Sequence, residues 1–63
     1  MTVSKATAQL TPRKIYKQDD LYYVVEAHHE SGRVVWEIVS KGYGHSTSAF
    51  AAVGRLYVKE LTS

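Results

Sequence analysis

From Leu21 to Lys41 the chain reads LYYVVEAHH, then Glu30-Ser31-Gly32, then RVVWEIVSK. Both runs are dense in Tyr, Val, Ile and Trp, the side chains that fit a pleated surface. Gly32 supplies the positive φ that a tight turn between them needs. The pattern predicts an antiparallel hairpin with strands over about 21–29 and 33–41. Upstream, Ile15 and Tyr16 lie in a short β-rich stretch that ends at Asp19-Asp20, a polar pair suited to a tight turn, so a first strand is expected over about 13–18. Downstream, Gly42-Tyr43-Gly44-His45 reads as a flexible hinge, and Ser46, Thr47 or Ser48 can cap the helix that follows. Phe50, Val53, Leu56, Tyr57 and Leu61 recur at the helical period over about 47–61, with Ala51, Arg55, Lys59 and Thr62 on the other side. Gly54 within this run costs about 1 kcal/mol relative to alanine; it either permits close approach to the sheet or a second helix, or reflects sequence drift. Residues 1–12 show no periodicity and close at Thr11-Pro12, which disfavours helix, so they are expected to form a mobile tail. The expected fold is α+β: a single domain over 13–63, with a three-stranded antiparallel sheet and one C-terminal helix packed on one face.

Side chains alternate faces along a strand, so the hairpin register is testable from the sequence. Pairing His29 with Val34 sets Ala27 opposite Trp36, Val25 opposite Ile38 and Tyr23 opposite Ser40. One face then carries Tyr23, Val25, Ala27, Val34, Trp36 and Ile38 and is apolar. A shift of one residue would set Glu26 opposite Trp36 and mix the faces. The helix stripe is expected on the apolar face, with Trp36 at the centre of the core between Ala27 and Phe50 and Val53. The other face, with Tyr22, Val24, Glu26, His28, Val35, Glu37, Val39 and Lys41, is expected to be the outer one. Tyr16 joins that outer face if the first turn has an odd number of residues.

With 63 residues, 44% of them hydrophobic and 22% charged, the chain falls among ordinary globular domains. A chain of this length buries only about 60% of its unfolded surface, leaving little core to build a deep catalytic cleft. The absence of cysteine excludes disulfides, cysteine-based zinc sites and thiol catalysis. No apolar run approaches the ~20 residues of a membrane span, and MTVSKATAQL lacks a signal-peptide core, so a cytoplasmic location without membrane association is expected. Residues 1–17 carry Lys5, Arg13, Lys14 and Lys17 and no acid, whereas 18–63 carry four bases against six acids. Such an arm is either an electrostatic foot for phosphate or an acidic protein, or a solvated tail.

No arrangement of side chains points to catalysis, a cofactor or a small-molecule substrate. His28 and His29 are adjacent in a strand and point to opposite faces, so with Glu26 and His45 they read as surface residues rather than metal ligands. The serines, His45 and Asp19 or Asp20 lack a nucleophile elbow, and Gly42-Tyr43-Gly44 lacks the pattern of a phosphate loop. The register does place Glu26 opposite Glu37, where like charges across strands destabilise a sheet. Either a partner's basic groups engage the pair, or both extend into water or are neutralised by Lys41 and Lys14. Tyr22, Val24, His28, Val35 and Val39 around it complete a mixed surface of the kind that binds proteins. The first expectation is therefore a non-enzymatic protein-binding module, dimeric, that modulates another macromolecule through this outer face. The alternative is a nucleic-acid binder using Arg13, Lys14 and Lys17, with Tyr16, Tyr22 and Tyr43 for stacking.

Across roughly residues 14–59, Ile15-Tyr16-Lys17, Tyr22-Tyr23-Val24-Val25-Glu26-Ala27, Ser31-Gly32 with Val34, and then Tyr43, Ser46, Ala49 and Val53 resemble the repeat unit of the YegP-like family of small bacterial proteins. Asp19-Asp20 stands in place of that family's glycine-rich first turn, and the stretch from Gly32 to Tyr43 is longer. The resemblance implies three antiparallel strands followed by a helix, units that pair as tandem repeats or as a dimer, and no known catalytic activity. A free-standing module of this size with no recognisable chemistry suits a bacterial or phage accessory protein. The element order is also similar to the three-strand-plus-helix DNA-binding domains of phage integrases and plant transcription factors, but Glu26 and Glu37 stand where such a sheet would need arginines.

Overall fold

The computed structural model describes residues 10–63 of the protein. The chain runs β1 (Arg13–Gln18), β2 (Leu21–Glu30), β3 (Arg33–Ile38) and α1 (Ser46–Thr62), and the strands form one antiparallel sheet in the order β1-β2-β3. This is the small α+β fold that the hydrophobic pattern predicts. Most of the expected tail lies outside the described residues. Its last two residues are held: Thr11 donates to the Glu60 carboxylate, and the Pro12 carbonyl accepts from Ala27 N at 3.0 Å.

Both hairpins close through two residues with positive φ, Asp19 (53°) with Asp20 (67°) and Ser31 (52°) with Gly32 (81°). Left-handed backbone at both central positions gives a turn whose twist matches that of the strands. Aspartate tolerates this region because its side chain can bond to the local backbone. The two-residue turns fix the registers. Val25 pairs with Ile38, Glu26 with Glu37, Ala27 with Trp36 and His29 with Val34, as the alternation predicts. On the other side of β2, Arg13 pairs with Glu26, Ile15 with Val24 and Tyr16 with Tyr23. With an even turn, Tyr16 shares the face of Tyr23, Val25 and Trp36.

The third strand ends at Ile38 rather than Lys41. Val39 N still donates to the Val24 carbonyl at 2.9 Å, but Val24 N donates to the Ser40 hydroxyl, a side chain standing in for the next backbone acceptor. Pairing resumes where Tyr22 and Tyr43 exchange two bonds of 2.8 Å. An uninterrupted register would set Lys41 opposite Tyr22, so two extra residues are looped out as a bulge. Gly42 lies in it, and a Cβ there would come within 2.9 Å of Leu21 Cδ1 and 3.1 Å of Tyr23 Cε1. The segment expected to be a flexible hinge is therefore tied to β2 through Tyr43. His45, extended at φ −132° and ψ 141°, precedes the helix without a side-chain cap, so the expected caps Ser46, Thr47 and Ser48 lie inside the first turn.

The helix covers the face opposite to the one expected. It lies over β1 and β2, leaving β3 uncovered. The core is Val24, Val25, Ala49 and Ala52, with Val24 fully enclosed beneath the helix. Ala49 and Ala52 present no long side chain, which lets the helix sit close to the sheet. The inward stripe runs through Ala49, Ala52, Val53, Leu56, Tyr57 and Glu60. Phe50 and Leu61, assigned to the stripe from their spacing, point outward at 63% and 62% exposure, and Gly54 faces open space rather than a packed neighbour. Trp36 is 43% exposed on the uncovered side. It is not the centre of the monomer core.

These placements order the stability effects of substitution. Val24→Ala is expected to lower unfolding free energy by about 2 kcal/mol, since its whole side chain is shielded from water. Val34→Ala, in the exposed row, is expected to cost less than about 0.5 kcal/mol in the monomer. Urea unfolding of the two variants at concentrations low enough to exclude self-association checks the order, and equal losses would contradict the assignment of faces.

Candidate functional site

Because β1, β2 and β3 are joined by two-residue turns, every second residue from each strand gathers on the side away from the helix. Lys14, Tyr16 and Gln18 come from β1, Tyr23, Val25, Ala27 and His29 from β2, and Val34, Trp36 and Ile38 from β3. Trp36 stands between two depressions. One, of about 430 Å³, is bounded by Lys14, Tyr16, Trp36 and Ile38 over a floor of Val25. The other, of about 230 Å³, runs from Trp36 past Val34 to Ala27 and Pro12. Lys14 Nζ lies 4.2 Å from the centre of the Trp36 ring, a cation–π contact that leaves its charge at the rim. No carboxylate belongs to this face.

The residues first assigned to a partner surface lie on the helix side. Val24 is buried and Tyr22 is half-buried, so neither can be the centre of a docking surface. Glu26 and Glu37 do stand opposite each other, but Glu26 is paired with Arg13 while Glu37 has only His28 nearby, and among the described residues neither Lys41 nor Lys14 is ion-paired with them. Arg13 Nε lies 2.7 Å from Glu26 Oε2, and His28 Nε2 lies 3.3 Å from Glu37 Oε1. The second contact is an approach without hydrogen-bond alignment, leaving His28 Nε2 without a hydrogen-bond partner. Glu37, Val35 and Val39 stay accessible in whole or part, on or beside the strand that the helix leaves bare.

The basic arm is divided in the same way. Arg13 is only 6% exposed at its side chain, bonded through Nη1 to Glu60 Oε1 at 2.7 Å as well as to Glu26, and stacked 4.6 Å over the Tyr57 ring. It is an internal tether rather than a phosphate contact. Burial works against its charge, yet the hydrogen bonds to Glu60 and Glu26 outweigh that and hold its pKa above the usual arginine value. Lys17 is on the helix side, 5.5 Å from the Tyr22 ring centre. Of the six residues assigned to nucleic acid, only Lys14 and Tyr16 reach the open face; Tyr22 and Tyr43 are on the helix side.

Val34, Trp36 and Ile38 belong to the exposed apolar surface, although their apolar character marked them as core. The available signal was Glu60, which shares a helix face with Ala52, Val53 and Tyr57 and needs a cation to be drawn inward. Among the described residues, no three of His, Cys, Asp or Glu are grouped to hold a metal, and no helix is long and apolar enough to cross a membrane. Comparison with known proteins gives no matching family, characterised relative or solved structure.

The network that closes the helix side is pH-sensitive. Hydrogen bonds from Thr11 and then from Arg13 hold the Glu60 carboxyl below the usual glutamate range. The folded state therefore binds this proton less readily than the unfolded chain. The stabilisation is complete above the ordinary glutamate value of about 4.3 and is lost as pH falls through the lower folded value. Glu60→Gln is expected to be less stable than wild type at pH 7, with the difference shrinking below pH ~4. Urea midpoints measured from pH 7 to 3 check this, and a constant offset across that range would contradict it.

Proposed function

We propose that the protein is a non-enzymatic interaction module whose open sheet face binds another protein surface, beginning with a second copy of the same chain. The observation that carries this reading is the disproportion between the two sides of the sheet. Beneath the helix the buried hydrophobic side chains are only Val24, Ala49 and Ala52, while Tyr16, Val34, Trp36 and Ile38 remain exposed together on the uncovered face. Chains this short gain stability from disulfides, a structural metal or association, and this one has no cysteine. Stacking two such faces supplies the second apolar layer that a sheet requires. The likeness to YegP-like units, which occur in pairs, supports the same reading. Lys14 and Gln18 at the rim favour a polar border around an apolar centre, the usual anatomy of a protein interface.

A second reading follows from the absence of carboxylates on this face. Tyr16 and Trp36 beside Lys14 form an aromatic and cationic surface on which the bases of a single strand could stack. Glu26 and Glu37, which counted against a nucleic-acid surface, lie on the other side of the sheet. The protein reading ranks first because one lysine neutralises too few phosphates to give strong affinity.

Sedimentation at tens of micromolar is expected to show a dimer. Trp36→Ala is expected to weaken association on the order of 100-fold, as for a central aromatic anchor, and Ile38→Glu to yield a folded monomer. A wild-type monomer of 7.1 kDa would contradict the self-association. Binding of a single-stranded oligonucleotide that is lost in Trp36→Ala and weakened by salt would establish the second reading instead.

A further inference from the structure

The bulge between Ile38 and Tyr43 lines, with one flank of α1, a third recess of about 250 Å³, this one on the helix side of the sheet. Three cations line it: Lys41 from the bulge, and Arg55 and Lys59 from positions four apart on the helix. No carboxylate lines it. Among the described residues none of the three is ion-paired or hydrogen-bonded through its side chain, in contrast to Arg13 with its two carboxylates. Like charges gathered around one recess repel each other until an anion lies between them. Val39 and Leu56 add apolar wall, and Tyr43 adds a half-buried ring with Lys41 Nζ 5.5 Å from its centre.

The cleft is preorganised by the irregularity that ends β3. Tyr43 is fixed by its two backbone bonds to Tyr22, Val39 by its bond to Val24, and Ser40 by its contacts with Val24 N and the Lys41 carbonyl. Bulges often serve to re-aim a side chain towards a site, and here the looped-out residues carry Lys41 to the helix. A carboxylate would neutralise one of the three cations. A terminal phosphate carries a charge of roughly −1.5 to −2 and three acceptor oxygens, and the arginine fork matches it in bidentate fashion.

We propose that this cleft binds the phosphate of a nucleotide, with the three cations on the phosphate oxygens and the nucleotide body against Val39, Leu56 and Tyr43. The chemistry is shared by a free nucleotide and by the phosphorylated end of a strand. It is independent of the open face, on which the protein-binding reading rests.

The test is titration of isotope-labelled protein with ADP, inorganic phosphate and a short 5′-phosphorylated DNA oligonucleotide, with glutamate as the carboxylate control, followed through the backbone amides. Saturable shifts are expected over residues 41–43 and 55–59, with Val34 and Trp36 unmoved. Arg55→Gln and Lys59→Gln, both exposed and so compatible with folding, are each expected to weaken binding at least about tenfold, whereas Arg55→Lys retains part of it. Tighter binding of ADP would assign the site to a free nucleotide, and tighter binding of the oligonucleotide to a strand end. No saturable shift with any probe would overturn the proposal, as would an equal response to glutamate or binding unchanged in both glutamine variants. Inorganic phosphate binding as tightly as ADP would overturn the role given to the nucleotide body.

Discussion

Arg13 stands at the first residue of β1, with its guanidinium enclosed by Glu26 of the neighbouring strand, Glu60 of the last helical turn and the ring of Tyr57. Removing a guanidinium from water costs several kcal/mol unless it is paired in good geometry. Two contacts of 2.7 Å supply that pairing while leaving each carboxylate about a quarter exposed. Arg13 N also donates to the Tyr57 hydroxyl, and Thr11 reaches Glu60 through backbone and side chain. The contacts come from two strands and the helix, so they can form together only when the helix lies on the Val24 face. The aliphatic core between helix and sheet is small, and this polar cluster carries much of the specificity of docking.

The face alternation of the hairpin was readable because a one-residue slip between LYYVVEAHH and RVVWEIVSK would set Glu26 opposite Trp36. The choice of face was not readable by the same count. It favoured the side with more apolar residues, whereas the helix follows Arg13, Glu60 and two alanines small enough to approach Val24. Phe50 and Leu61 were misplaced for a related reason: α1 has apolar residues on two sides, and periodicity alone does not say which one is buried. The bulge after Ile38 escaped notice because it depends on Ser40 replacing a backbone acceptor and on Gly42 fitting beside Leu21 and Tyr23. The candidate surface was therefore legible as a set of residues but not as the exposed face.

One irregularity and one regularity divide the molecule. Regular two-residue turns gather Tyr16, Trp36 and Ile38 into an apolar face without acids, the face proposed to bind a second protein surface. The bulge breaks that regularity at the far end of β3 and brings Lys41 to Arg55 and Lys59. Arg13, the one arginine deep in the structure, serves neither surface, because its charge is spent within the fold.

Intrachain nuclear Overhauser contacts of the Ala49 and Ala52 methyl groups test the account most directly, since both alanines are buried against the sheet. Cross-peaks to the Val24 methyls within the same chain are expected, and none to the Trp36 indole. Contacts from either alanine to Trp36 in the same chain, with Val24 remote, would put the helix on the other face and contradict it.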